Sequence, residues 1–177
     1  MNKQPTEKDS SKRLGVWMVM LAWVALIAMV AVFFTRWSEK QYNPNQSLAR
    51  IVSSKGEREV VLQRNRYGHY VVTGAINNQP VTLMIDTGAS DISVPQPLAD
   101  KLGLKPGVPI NYQTANGVVT NYATLLDSVT IGNITLYEVR ASINPHVNND
   151  DVLLGMSFLK HLEFSQKGKQ LIIRQNQ

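Results

Sequence analysis

Polar and apolar positions divide this chain into three regimes. Residues 14–34 form an uncharged run of Leu, Val, Ala, Met and Phe that contains Trp17 and Trp23, with Gly15 as its only weak helix former. A run of that length crosses the roughly 30 Å hydrocarbon core of a bilayer as a helix. Residues 36–58 are rich in Gln, Asn, Ser and Lys without a sustained period, which reads as a linker. From 59 onward short apolar stretches alternate with turn residues, and strands are expected at 60–62, 70–76, 81–85, 118–120, 123–129, 134–139, 141–143, 162–164 and 171–173. Asn77-Asn78-Gln79-Pro80 reads as a hairpin turn, Asp127-Ser128 and Gly132-Asn133 as bends, and Gln166-Lys167-Gly168-Lys169 as a further turn. Only 97–102 and 156–161 suggest helix. The pattern therefore predicts a tail at 1–13, a transmembrane helix at 14–35, a linker at 36–58 and one mainly β domain at 59–175, closed or sandwich-like.

Charge placement adds an orientation. Lys12 and Arg13 close the apolar run on one side and Arg36 on the other, and no small-x-small cleavage site follows it, so an uncleaved anchor is expected rather than a secretory signal. Lys3, Lys8, Lys12 and Arg13 precede the run, against Arg36, Lys40 and Arg50 after it. That margin of one charge favours a cytoplasmic N-terminus and an exported β domain. The net charge of +5 contains no basic block or aromatic-interleaved stripe, which leaves no case for nucleic-acid binding. The absence of cysteine excludes disulfides, thiol catalysis and cysteine-ligated zinc. His69, His146 and His161 lie far apart without metal-ligand spacing, so neither metal nor cofactor is expected. No Gly-x-Ser-x-Gly elbow occurs. Asp150-Asp151 reads as a solvated loop rather than a calcium site.

The chemistry concentrates at Met84-Ile85-Asp86-Thr87-Gly88-Ala89-Ser90, where a carboxylate leaves an apolar strand and is followed at once by a hydroxyl residue and a glycine. Placing a carboxylate there costs several kcal/mol unless it is bonded or paired. A second signal, Leu153-Leu154-Gly155 before Met156, lies about 70 residues downstream. Asp91 reads as a surface or substrate-edge residue, since a position so close to Asp86 cannot supply a symmetric second carboxylate.

These two motifs, in this order and in a β domain of this size, resemble the retropepsins, the retroviral-type aspartic proteases of clan AA. The likeness covers about 60–174 and is similar to the membrane-anchored single-domain members found in bacteria. It implies an all-β closed barrel of acid-protease fold with one short C-terminal helix, preceded here by the transmembrane helix. Asp86 would be the catalytic aspartate, with Thr87, Gly88, Ala89 and Ser90 as its loop. Leu153, Leu154 and Gly155 would be the strand packed beside it, and Thr114, Ala115, Asn116 and Gly117 the tip of a flap over the substrate. One Asp-Thr-Gly per chain implies a homodimer, for which 60–62 and 171–173 are candidate interchain strands. Expected partners are a second copy, a peptide or protein substrate and the membrane. The expected location is the bacterial inner membrane, with the protease domain periplasmic. The rival readings are a catalytically silent dimerisation or peptide-binding module of the same fold, and an unrelated β-rich interaction domain.

Overall fold

A computed structural model describes residues 7–48, 51–52, 58–114 and 117–175. They form two compact units, 1–40 and 41–177. The first is helical: α1 runs Glu7–Tyr42 and contains an apolar stretch long enough to cross a membrane, with none of it buried against protein.

The second unit is built from strands β1 (Ile51–Val52), β2 (Arg58–Gln63), β3 (Tyr70–Ile76), β4 (Gln79–Ile85), β5 (Ile92–Pro95), β6 (Pro109–Thr114), β7 (Gly117–Ile131), β8 (Ile134–Asn144), β9 (Asp151–Leu154), β10 (Glu163–Lys167) and β11 (Gln170–Gln175). Two short helices join them, α2 (Gln96–Lys101) and α3 (Met156–Leu159). The larger sheet runs β3-β4-β9-β5-β8-β7-β6, and β3 also pairs with β7 through Ala75 and Ile76. That second pairing closes six strands into a barrel. β6 and β3 share one side of β7 near its two ends, because β8 takes the other. Closure depends on Gly74, where a Cβ would stand 2.4 Å from Leu83 Cδ1 and 2.5 Å from the Thr130 carbonyl oxygen. Val72, Ile76, Leu83, Ile92, Leu126, Ile143, Leu154 and Phe158 fill the interior, each fully buried.

Local chemistry accounts for the turns. Asn77 and Asn78 take φ of 49° and 64°, the left-handed pair that a two-residue hairpin between β3 and β4 requires. The bend expected at Asp127-Ser128 does not end the strand. β7 continues through it, and only the Asp127 and Glu138 positions drop out of an otherwise unbroken β7–β8 ladder. Two like charges there oppose pairing, and Glu138 takes φ of 52°.

The smaller sheet has the order β1-β2-β11-β10. The two candidate interchain strands, 60–62 and 171–173, pair with each other inside one chain, Val60 against Ile173 and Leu62 against Leu171. β11 has a neighbour on both sides. β10 has one, and among the described residues no strand lies along its outer edge.

The segment read as a linker carries structure. The helix continues to Tyr42, and Asn45, 4 % exposed, uses its whole amide. Its Nδ2 donates to the carbonyls of Gln63 and Val71 at 2.9 and 2.7 Å, and its Oδ1 accepts from the Gln63 N–H at 2.7 Å. A polar stretch can be tied down by such bonds with no hydrophobic period to reveal it.

Candidate active site

Asp86 follows β4 directly, and its backbone N–H donates to the Leu154 carbonyl at 3.1 Å. The parallel register of β4 with β9, Ile85 against Leu154, thus sets where the loop begins. The loop then folds on itself: the Gly88 N–H donates to Asp86 Oδ1 at 2.9 Å, and the Ala89 N–H to the Asp86 carbonyl at 3.3 Å. Asp86 is half-buried, with Thr87, Gly88 and Ser90 exposed around it. The carboxylate therefore stands at a rim, not inside the core.

Gly155 supports the loop from below. A Cβ there would lie 2.3 Å from the Asp91 carbonyl oxygen and 2.6 Å from that of Ala89, so only glycine permits the approach. The next two residues bond the loop, with the Met156 N–H donating to the Ala89 carbonyl at 2.8 Å and the Ser157 N–H to the Ser90 carbonyl at 2.9 Å. Ser157 Oγ in turn accepts from the Ile92 N–H at 3.0 Å. Leu154 is fully buried, while Leu153 reaches the cleft. The structure thus brings the two sequence motifs together.

The β6–β7 hairpin overhangs the loop. Tyr112, Thr114 and Val119 face Asp86, Ser90 and Asp91 across a cleft of about 440 Å³. Thr114 Oγ1 donates to the Gly117 carbonyl at 2.8 Å, and Gly117 takes φ of 110°, a conformation that favours glycine. Ala115 and Asn116 lie outside the described residues. A second hollow, of about 360 Å³, opens on Asp86 and Thr87 from Phe164, Gln166 and Leu171. A third, near Tyr137, Arg140 and His161, contains neither Asp86 nor a hairpin residue.

Sequence reasoning missed a network beside the cleft. Asp91 is buried, not a surface residue: it accepts from Tyr112 Oη at 2.7 Å and pairs with Arg140 Nη2 at 2.9 Å. Burial first, and then the bond to Asp91, pushes the Tyr112 phenol above its ordinary pKa. The bond ties the hairpin's first strand to the loop that carries Asp86. Asn121 Nδ2 donates to Ser142 Oγ at 3.1 Å, while its Oδ1 is buried at the same cleft without a partner among the described residues. The available signal was weak, for Arg140 stands 49 positions from Asp91 and no spacing rule joins them.

Comparison with known proteins gives a consistent picture. Residues 72–161 match the family model described as gag-polyprotein putative aspartyl protease. An uncharacterized protein from the cobV 5′ region of Sinorhizobium is 30 % identical over 169 residues, covering 89 % of this chain and 70 % of that one. An uncharacterized protein of Rickettsia prowazekii is 36 % identical over 121 residues, 65 % of this chain and 50 % of its own length. Among solved structures, a retropepsin-like aspartic protease from Rickettsia conorii aligns with a TM-score of 0.58 at 30 % identity, over 73 % of this chain and 96 % of that one.

Proposed function

We propose that this chain, which belongs to the retropepsin-like aspartic protease family, is a membrane-anchored endopeptidase whose active site needs two copies of Asp86, one from each protomer of a homodimer. The observation that carries the reading is the setting of Asp86. It is a single carboxylate held by its own loop, half-exposed at a rim, with a cleft under a hairpin on one side. One carboxylate cannot act as base and acid at once. Two of them a few ångströms apart share one proton, because both do not ionise together.

In the proposed reaction the ionised aspartate takes a proton from a bound water as the water oxygen attacks the scissile carbonyl carbon. The protonated aspartate hydrogen-bonds the carbonyl oxygen and transfers its proton to it, giving a neutral gem-diol. Collapse of the diol breaks the C–N bond. The aspartate that took the water's proton gives it to the amine nitrogen, the other aspartate takes a proton from a diol hydroxyl, and the amine and carboxyl products leave. Gly88 holds Asp86 Oδ1 through its N–H, so that the carboxylate needs little reorganisation. The β6–β7 hairpin, tied to the loop by Tyr112 and Asp91, would close over an extended peptide and exclude water. The N-terminal helix supports a membrane location, and the bacterial inner membrane with the β domain outside the cytoplasm is the arrangement we propose.

The test is cleavage of a diverse peptide pool by the full chain in detergent, from acidic to neutral pH, beside Asp86→Asn. Cleavage with a bell-shaped pH profile that vanishes in the variant is expected. Cleavage surviving Asp86→Asn would sink the assignment. A wild-type protein that dimerises yet cuts nothing would favour the silent binding module.

A further inference from the structure

We infer that the outer edge of β10 is the surface on which two copies of this chain meet, as an antiparallel β10–β10 pair with Ser165 on the two-fold axis. The inference rests on the proposed dimeric site, and it identifies the surface which that site requires.

Every residue of β10 is exposed, and the strand ends the smaller sheet. An open edge of this kind is a ready template for another chain. Its hydrogen-bonding phase follows from the hairpin it forms with β11. Lys167 pairs with Gln170 across the two-residue turn Gly168-Lys169. Residues that close such a turn bond each other, and the pattern alternates from there. Lys167, Ser165 and Glu163 therefore spend their backbone groups on β11, and Phe164 and Gln166 direct theirs outward.

A second β10 running antiparallel about Ser165 uses those groups completely. Phe164 of each copy faces Gln166 of the other, which gives four backbone hydrogen bonds around a non-bonded Ser165–Ser165 pair. The same register places Glu163 of one copy opposite Lys167 of the other, twice, so the charges match where the backbone matches. A one-residue slip toward either end loses the charge match and turns the outward groups away. Side chains alternate in direction, so Phe164 and Gln166 share one face. That face opens on the hollow lined by Asp86 and Thr87. Pairing at this edge about a two-fold axis therefore sets the hollow beside Asp86 and Thr87 of one copy next to that of the other. β11 offers no equivalent edge, since it lies between β2 and β10, and β2 is flanked by β11 along its length and by β1 at Arg58 and Glu59.

The test is disulfide crosslinking of the full chain in membranes. Because the protein has no cysteine, Ser165→Cys introduces a single thiol. A non-bonded antiparallel pair sets its Cα atoms about 4.5 Å apart, within disulfide reach. Mild oxidation should crosslink Ser165→Cys into dimers at least about tenfold faster than Lys105→Cys, an exposed site off β10 that reports random collision. Glu163→Lys and Lys167→Glu should each weaken the detergent-solubilised dimer by about tenfold, and the double variant should restore it. Crosslinking no faster than at Lys105, or a double variant no better than the singles, would overturn the proposal. Asp86-dependent cleavage with either of those results would leave the protease standing and this surface wrong. Rapid crosslinking in a protein that cuts nothing would support the surface and remove the protease.

Discussion

Replacing Gly155 by alanine tests whether the glycine after β9 is the support on which the Asp86 loop rests. The added Cβ would stand 2.3 Å from one loop carbonyl oxygen and 2.6 Å from another. Ordinary carbon–oxygen contact needs about 3.3–3.5 Å, so the loop and the start of α3 must separate by about 1 Å. Both obstacles are backbone, and neither can rotate aside as a side chain would. The same movement stretches the bonds from Met156 and Ser157 to the loop, now 2.8 and 2.9 Å, past useful range. Overpacking costs about 1–3 kcal/mol and two weakened bonds about 1 kcal/mol each, a total of about 3–5 kcal/mol. For a domain of this size the melting temperature should fall by roughly 12–20 °C, followed by the β signal in circular dichroism, with cleavage lost in parallel. Gly88→Ala is the matched control, because among the described residues its Cβ would meet only Asp86 Oδ1, at 3.2 Å. That variant should melt within about 2 °C of the wild type, since it leaves the packing untouched, yet lose activity through the displaced carboxylate. A Gly155→Ala protein that melts with the wild type, or a Gly88→Ala protein that melts as low as Gly155→Ala, would refute this account of the two glycines.

Other consequences can be measured separately. Tyr112→Phe removes the bond to Asp91 and should cost about 1–2 kcal/mol at neutral pH in denaturant titration. Because the folded phenol's pKa lies above its unfolded value, that difference should hold below about pH 10 and shrink as pH rises toward the folded value; a gap that widened with alkali would contradict the cause given. Asn45→Ala strands the Gln63 N–H and two carbonyls and should destabilise the β domain by about 2–4 kcal/mol, read from its melting curve, whereas a true linker position would show no change. The helix predicts retention of the full chain in the membrane pellet after alkaline carbonate extraction, and its release would point to a cleaved signal.

The parts of this molecule that were legible in the sequence are those whose cause is local. The 70–85 hairpin declares itself through alternating apolar residues around Asn77-Asn78, and β3 matches its expected span, Tyr70–Ile76. The Asp86 and Gly155 motifs meet as their order implied. What stayed hidden depends on partners far along the chain. β5 is only four residues long, and no strand is expected at 92–95, since its partner β8 lies far along the chain. Asp91 reads as a surface or substrate-edge residue, because nothing near it in sequence announces Arg140 or Tyr112; it lines the cleft but is buried. Asn45 lacks any hydrophobic period, since its anchorage is wholly by hydrogen bonds. The pairing of β2 with β11 was the least accessible, because two apolar edge strands read the same whether they pair within a chain or between chains.

That pairing bears on when the proposed protease would become dangerous to its own cell. A chain whose terminal strands satisfy each other can finish folding alone, and each finished copy then carries half of the proposed catalytic machinery. Latency would then need no inhibitory segment; it would be a property of being solitary. Activity would appear only where copies accumulate, rise more steeply than their number, and vanish on dispersal without any chain unfolding. Crowding in the plane of a membrane would then set the threshold, making local abundance the control on proteolysis.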